Sequence, residues 1–522
     1  MRFISRLRVE ILLFLLLLTC YAYFPPRWAD WNQNSRLNLT LAIVDDGSFQ
    51  IDRFVANTGD YAKYNGHYYS DKAPGTSFLA APVYAAVRPI LQTAAVQRII
   101  ERITSSATFG ETLRPNGSGL ATEKVYFALV LMIVAFVTVA VPSALLGVVL
   151  YRFLELFNLA AGWRVMIALI YGLATPAFPY SNAFMGHQQV AAMLFASFWV
   201  AFLIGQRRLS PRWSLLIGVL LGWTLITEYP AALIVAGVGL YLLAALPDRR
   251  WIAGAALAGI PPLALMMAYN YAIFGTVLPV GYKYSELWQA EHQTGFMSLA
   301  GLNREALWGI TFGVHRGLFL LAPVLLIGLA GFVAWWRSRM HRRELVVCVW
   351  AVVSFLLFNG SSVMWSGGFG VGPRYLVPML PFLAFGIGAF IATWGARWWA
   401  RMALGIAGVW SFLNVWAQTI GGQSFPQYQP NPLLDYSLPE LAAGNVARNL
   451  GMALDLGGWA SLLPLALVML IGMAMLFHSV EKPMLAAEGR WAEIQGQRTE
   501  HQELSAENRE PRTRNRELRA EH

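Results

Sequence analysis

Apolar residues come in long runs along this chain, and short polar or basic stretches divide them. A bilayer core takes roughly 20 apolar residues per helix, and on that ruler the pattern predicts about twelve membrane spans. They lie at Glu10–Phe24, Val125–Leu150, Val165–Tyr180, Val190–Ile204, Trp213–Ile226 and Ala231–Leu246. The second half holds Ala253–Phe274, Leu318–Trp336, Leu345–Phe358, Tyr375–Trp394, Met402–Ile420 and Trp459–Phe477. The expected fold is an all-α, polytopic transmembrane helix bundle.

The segments between the runs are of two kinds. One kind is short and basic. Arg2, Arg6 and Arg8 precede the first span, and alternate loops carry Arg152 with Arg164, Arg207 with Arg208 and Arg212, and Arg249 with Arg250. Later ones carry Arg337, Arg339, Arg342 and Arg343, then Arg397 and Arg401. Twelve spans put all of these on one side, and an excess of Lys and Arg marks that side as cytoplasmic. Both termini are then cytoplasmic, in a multi-pass protein integral to the cytoplasmic (inner) membrane. No small-x-small cleavage site follows the first apolar run, so that helix is expected to stay in place.

The other kind is long. The first loop runs over residues 25–123, and Gly275–Gly317 and Gly421–Gly458 fall on the same, extracytoplasmic side. Loops of that length are usually functional or separately folded. Ser35–Val44 and Phe78–Ile103 read as interfacial helices, with an extra span as the alternative for the second. Residues 1–478 form the expected transmembrane domain. Residues 479–522 mix Glu and Arg with almost nothing apolar, a charged cytoplasmic tail expected to be disordered.

Composition narrows the class. Of the 522 residues, 57% are hydrophobic and only 13% charged, where soluble domains carry about a quarter. That excludes a water-soluble globule and a disordered chain. The net charge of +10 comes from 39 Lys and Arg against 29 Asp and Glu. Because the basic residues sit between apolar runs, they orient the chain in lipid and give no sign of nucleic acid. The two cysteines, Cys20 and Cys348, both lie inside apolar runs, which argues against a disulfide scaffold or a Cys-rich metal site.

Chemistry concentrates in the extracytoplasmic segments. The first loop holds Arg36, the pair Asp45-Asp46, and the stretch YNGHYYSDKAPG with Tyr69, Asp71 and Lys72. A helix starting after that stretch would aim its N-terminus at the same place, and free N–H groups, Lys72 and Arg36 together would suit an anion. The plainer reading has Lys72 and Asp71 neutralising each other, and Asp45-Asp46-Gly47 ending a helix. His187, Glu228, Tyr229 and Arg374 stand at extracytoplasmic ends of other spans. Charges at such depth usually face a cavity or a partner. Acids, bases and aromatics from several spans thus meet one face. That pattern suits a carboxylate acting as general base and cations holding a phosphate leaving group. A divalent cation bridging acid and phosphate is compatible with these residues, but no ligand spacing demands one, and no other cofactor is implied.

At these residues the chain resembles the GT-C class of polytopic glycosyltransferases, near the protein O-mannosyltransferase and lipid A aminoarabinose transferase relatives (glycosyltransferase family 39-like). The resemblance covers residues 9–400 and rests on a first helix followed by a long loop, on SRLNLTLAIVDDGSFQID, GHYYSDKAPG, YSNAFMGH and GPRYLVP, in that order. It implies transfer of a sugar from a polyprenyl-phosphate carrier to a glycan, lipid or protein acceptor outside the cytoplasmic membrane. It implies carrier-phosphate contacts at Lys72 and Arg36, and His187 stands where relatives often have an Asp. In the mechanism expected from the external polar groups, Arg374 assists at the phosphate, and His187, Glu228, Tyr229 and Tyr69 line the substrate pocket. The family's acidic pair falls on Gln33 and Asn34, neither of which can act as a base. Three explanations stay open here: another carboxylate has taken over, with Asp71 favoured ahead of Asp46 and Asp45; the acceptor is activated differently; or the chain is a catalytically inactive accessory subunit. A lipid-linked saccharide transporter or flippase is the alternative from another class.

Overall fold

The computed structural model describes residues 2–26, 30–105, 123–295, 298–423 and 429–480. Nearly all of the expected tail, 481–522, lies outside the described residues. The expected all-α transmembrane fold is borne out: the described residues are 75% helical with almost no strand, and the chain is an integral membrane protein. Each of the twelve apolar runs carries a helix. Seven of these are long and apolar enough to cross a bilayer. They are α5 (Lys124–Phe157), α7 (Gly186–Gly205), α10 (Arg249–Phe274), α13 (Arg342–Gly360), α14 (Arg374–Trp394), α15 (Trp398–Ile420) and α16 (Gly458–Val480). Four are shorter: α6 (Ala161–Leu173), α8 (Pro211–Thr227), α9 (Tyr229–Ala245) and α12 (Val324–Ser338), with the short α11 (Arg304–Thr311) in the segment between α10 and α12. The first, α1 (Arg2–Ala22), buries Leu13, Leu16, Leu17 and Cys20 on one face and leaves Leu7, Ile11 and Leu15 exposed on the other. That is the division of a helix between a protein core and lipid.

The main core joins α1, α5, α6, α7, α12 and α14. Phe153, Phe195, Phe198, Phe382 and Phe385 interlock at its centre, with ring centroids 4.5–5.8 Å apart between neighbours. At the basic ends of the helices the few acids are paired. Glu10 takes Arg152 in a two-point ion pair, and Glu155 takes Arg164 at 2.7 Å.

The described residues of the first loop fold into a cap with its own apolar core, made by Leu37, Leu39, Ile51, Phe54 and Tyr84 against Phe127, Tyr269 and Phe274 of α5 and α10. One expectation is corrected here. The segment around Ser35–Val44 forms α2 (Trp31–Leu41), ending in a wide turn at Ala42–Asp46. It is buried from Gln33 to Leu41, so it is an element of the cap and not an interfacial helix. Phe78–Ile103 becomes two helices, α3 (Gly75–Leu91) and α4 (Ala94–Thr104), bent 89° apart. Pro89 sits just before the bend, where its ring and missing N–H weaken the helix. α4 leaves Ile99 and Ile103 exposed, the surface expected of a helix lying in an interface.

A hairpin of two three-residue strands, β1 (Ala62–Tyr64) and β2 (His67–Tyr69), precedes α3. Asn65 and Gly66 turn it, both with positive φ, as tight hairpin turns require. This hairpin positions the site: residues 70–74 follow directly from β2, and Ala62 bridges to Ser285 in the loop after α10.

Candidate active site

Lys72 is the centre of the polar cluster. Its Nζ lies 3.0 Å from Asp60 Oδ2 and 3.1 Å from Asp71 Oδ1. The second pair is within ion-pair distance but not aligned as a hydrogen bond, so Asp71 Oδ1 keeps no hydrogen-bond partner. Because the loop after α10 pairs onto β1, Ser285 reaches Asp71 and donates to Oδ2 at 2.9 Å. From the same loop Trp288 donates its indole N–H to Asp60 at 3.1 Å. Burial opposes ionisation of Asp60, but Lys72 and Trp288 overcome it and hold that carboxyl below the usual range. Asp71, buried completely, goes the other way: desolvation raises it although Lys72 stands beside it. Burial disfavours the Lys72 ammonium, yet its two carboxylates hold it above the ordinary lysine value.

The second part of the site gathers on Glu228, in the turn between α8 and α9. Arg36 NH2 of α2 lies 3.4 Å from Glu228 Oε1, and His187 Nδ1 at the start of α7 lies 3.3 Å from the same oxygen. Gly186 makes this possible: a Cβ there would sit 2.5 Å from Oε1. Desolvation raises Glu228 against the opposing charges of Arg36, Arg374 and Lys72. Arg374 is presented by a Gly-rich loop whose carbonyls at Gly368 and Gly370 accept from the buried Arg316. Its guanidinium lies 5.1 Å from the Tyr375 ring centroid. The Nε atoms of Arg36 and Arg374 are buried without a hydrogen-bond partner. Ser70, Asp71, Lys72, Tyr229, Tyr269 and Tyr282 line a narrow cavity beside these groups.

The structure therefore brings Asp71, Lys72, Arg36, His187, Glu228, Tyr229 and Arg374 to one region. It does not bring Asp45 or Asp46 there. Asp45 sits at the end of α2's wide turn, held by Arg88 at 2.7 Å and by the Tyr84 hydroxyl at 3.0 Å. Asp46 faces Arg53 at the surface, 3.4 Å away. Tyr69 packs on Phe274 in the cap core, with centroids 6.2 Å apart. Gln33 and Asn34 have structural work. Gln33 Oε1 accepts the Phe184 N–H at 2.7 Å, and Asn34 donates to the Asn57 carbonyl at 2.8 Å.

Sequence reasoning missed Asp60, Ser285, Trp288 and Tyr282 as members of the site. Only the length of the loop after α10 signalled that it had a role. Among the described residues no three His, Cys, Asp or Glu side chains are grouped to hold a metal ion.

No protein-family model and no curated protein matches the chain. Solved structures similar to it include ArnT from Cupriavidus metallidurans bound to undecaprenyl phosphate. That likeness has 15% sequence identity and a TM-score of 0.40, covering 91% of this chain and 77% of the other. The apo form of the same protein matches at 15% identity and a TM-score of 0.43, over 91% and 76%.

Proposed function

We propose that this protein is a membrane glycosyltransferase that takes a sugar from a polyprenyl-phosphate carrier and passes it to an acceptor on the extracytoplasmic side of the cytoplasmic membrane. The observation that carries the reading is the convergence of three cations, the buried Arg36 and the half-buried Lys72 and Arg374, two of which keep a buried, unpartnered Nε–H. Buried donors without partners are costly and call for a ligand. A phosphate would satisfy them, since guanidinium forks fit its oxygens and the ammonium adds a point charge. When the sugar leaves, negative charge grows on the carrier phosphate, and fixed cations in a dry site stabilise that growth most. Asp60 and Asp71 hold the Lys72 ammonium in position. Tyr229, Tyr269 and Tyr282 supply rings and hydroxyls beside the phosphate that suit a sugar. The departure at Gln33 and Asn34 removes a carboxylate from α2 but not from the site, where Glu228, Asp71 and Asp60 stand.

The test uses the full chain in lipid nanodiscs and an undecaprenyl-phosphate hexose labelled in the sugar, with release of undecaprenyl phosphate as the readout. Lys72→Ala and Arg374→Ala are expected to slow release by about 100-fold or more, the scale for loss of one transition-state donor. Arg53→Ala, on the outer surface of the cap, is expected to stay within about threefold of wild type, an exposed ion pair contributing at most about 1 kcal/mol. Equal rates in all three variants would remove the assignment.

A further inference from the structure

We infer that Glu228 is the proton acceptor of the transfer, supplying from the α8–α9 turn the carboxylate that α2 lacks at Gln33 and Asn34. The inference rests on the glycosyl-transfer reading above. A general base needs an oxygen with a free lone pair, a fixed orientation and access to the substrate. The carboxylates of the site differ in these respects. Asp71 lines the cavity, but its side chain has no exposure: Oδ1, though without a hydrogen bond, lies 3.1 Å from the Lys72 ammonium as an ion pair, and Oδ2 accepts from Ser285. Asp60 has Lys72 on Oδ2 and Trp288 on Oδ1. Both are committed to holding the ammonium.

Glu228 is arranged differently. Arg36 and His187 both engage Oε1, which fixes the carboxylate plane. Oε2 takes no hydrogen bond among the described residues, and the side chain keeps 15% exposure. Glu228 also stands next to the N-terminus of α7, a position that favours a carboxylate. The absent side chain of Gly186 leaves the room for it. Tyr229, the next residue in the chain, lines the cavity with Lys72. His187 is a positioning residue in this scheme: its Nδ1 packs 3.3 Å from Oε1 and holds the carboxylate with Oε2 turned away, the logic of a base oriented by a neighbour.

The step balances as follows. The acceptor hydroxyl gives its proton to Glu228 Oε2 as its oxygen bonds to the anomeric carbon. The bond from that carbon to the phosphate oxygen breaks, and its electron pair stays on the carrier phosphate beside Lys72, Arg36 and Arg374. Glu228 then returns the proton to the phosphate or to water.

Azide separates this role from a structural one, because it is a nucleophile that needs no proton removed. The assay above is run with Glu228→Gln and Glu228→Ala, with and without sodium azide, alongside binding of undecaprenyl phosphate. Both variants are expected to lose about 100-fold or more in release to hydroxyl acceptors or water. Binding is expected to persist, and azide is expected to restore release about tenfold or more in Glu228→Ala, with glycosyl azide as product. His187→Gln is expected to lower kcat more than it changes KM, and azide is expected to rescue it as well. Wild-type rates in both Glu228 variants would overturn the assignment. So would loss without azide rescue, loss of binding together with release, or azide rescue in Asp71→Asn in place of Glu228→Ala. If the wild-type protein neither binds undecaprenyl phosphate nor releases it from the labelled donor, the glycosyl-transfer reading itself fails, a result distinct from all of these.

Discussion

A single lysine held by two carboxylates sets the acid–base behaviour of the cap. Asp60 is held low in the folded protein by Lys72, after burial has been overcome. A group held low stabilises the fold above its unfolded value, near 3.9 for aspartate, and that contribution is lost as pH falls through the folded value. Lys72 is held high by Asp60 and Asp71. Its contribution is present below the unfolded value, near 10.4, and is lost as pH rises through the folded one. Asp71 is raised by burial, so its share runs the other way, present in acid and lost as pH rises through its folded value. In detergent, the melting temperature of the wild-type protein is therefore expected to fall between about pH 5 and pH 3 by more than that of Asp60→Asn. Parallel curves would show that the Asp60–Lys72 pair adds no pH-dependent stability. At this scale the sequence listed the cations that the fold gathers, because charged residues at membrane depth stand out against apolar neighbours. It could not sort the acids. Asp45 and Asp71 look alike along the chain, and only the fold puts Arg88 beside one and Lys72 beside the other.

Between elements, the site depends on how closely α8 and α10 approach. Each carries part of it at the same end. α8 leads into Glu228, and α10 ends with Tyr269, Asn270 and Phe274 along the cavity. Lipid offers no hydrophobic drive between helices, so close association relies on small residues that let backbones touch. Gly218 and Gly222 of α8 supply this. A Cβ on Gly218 would run into the Ala255 carbonyl of α10, and one on Gly222 would lie 2.6 Å from the Gly259 carbonyl oxygen. Gly222→Val is expected to lower stability by about 1–3 kcal/mol, the usual range for overpacking, seen as a fall in melting temperature. It is also expected to slow sugar transfer, because Glu228 and the α10 end of the cavity move apart. Wild-type melting and transfer would mean that the helices part without cost. The twelve helices themselves were legible because each apolar run is long and its flanks are basic or turn-forming. The 89° bend between α3 and α4 was not, since the run reads continuously across it. Nor was the Ala62–Ser285 bridge, a pairing across more than two hundred residues that leaves no local trace.

Seen as a whole, the molecule separates charge by face. His187 begins α7, and that helix ends at Gly205, just before Arg207 and Arg208. Arg374 begins α14, which ends at Trp394 ahead of Arg397 and Arg401. Glu228 follows α8, which starts among Pro211 and Arg212. These three site residues thus lie a helix length from an arginine cluster, about 30 Å for the 20 residues of α7. If the arginine face is cytoplasmic, as the bias of the loops requires, the site opens outside, where a lipid-linked donor would meet an acceptor beyond the membrane. Labelling can decide this, because Cys20 and Cys348 are both buried and give little background. In a chain with both replaced by serine, His67→Cys on the exposed hairpin is expected to react with a membrane-impermeant maleimide in intact cells. Arg207→Cys is expected to react only after the membrane is opened. The reverse pattern would turn the site inward. It would leave the cluster of Lys72, Arg36 and Arg374 facing the cell interior, and extracytoplasmic transfer would lose its ground.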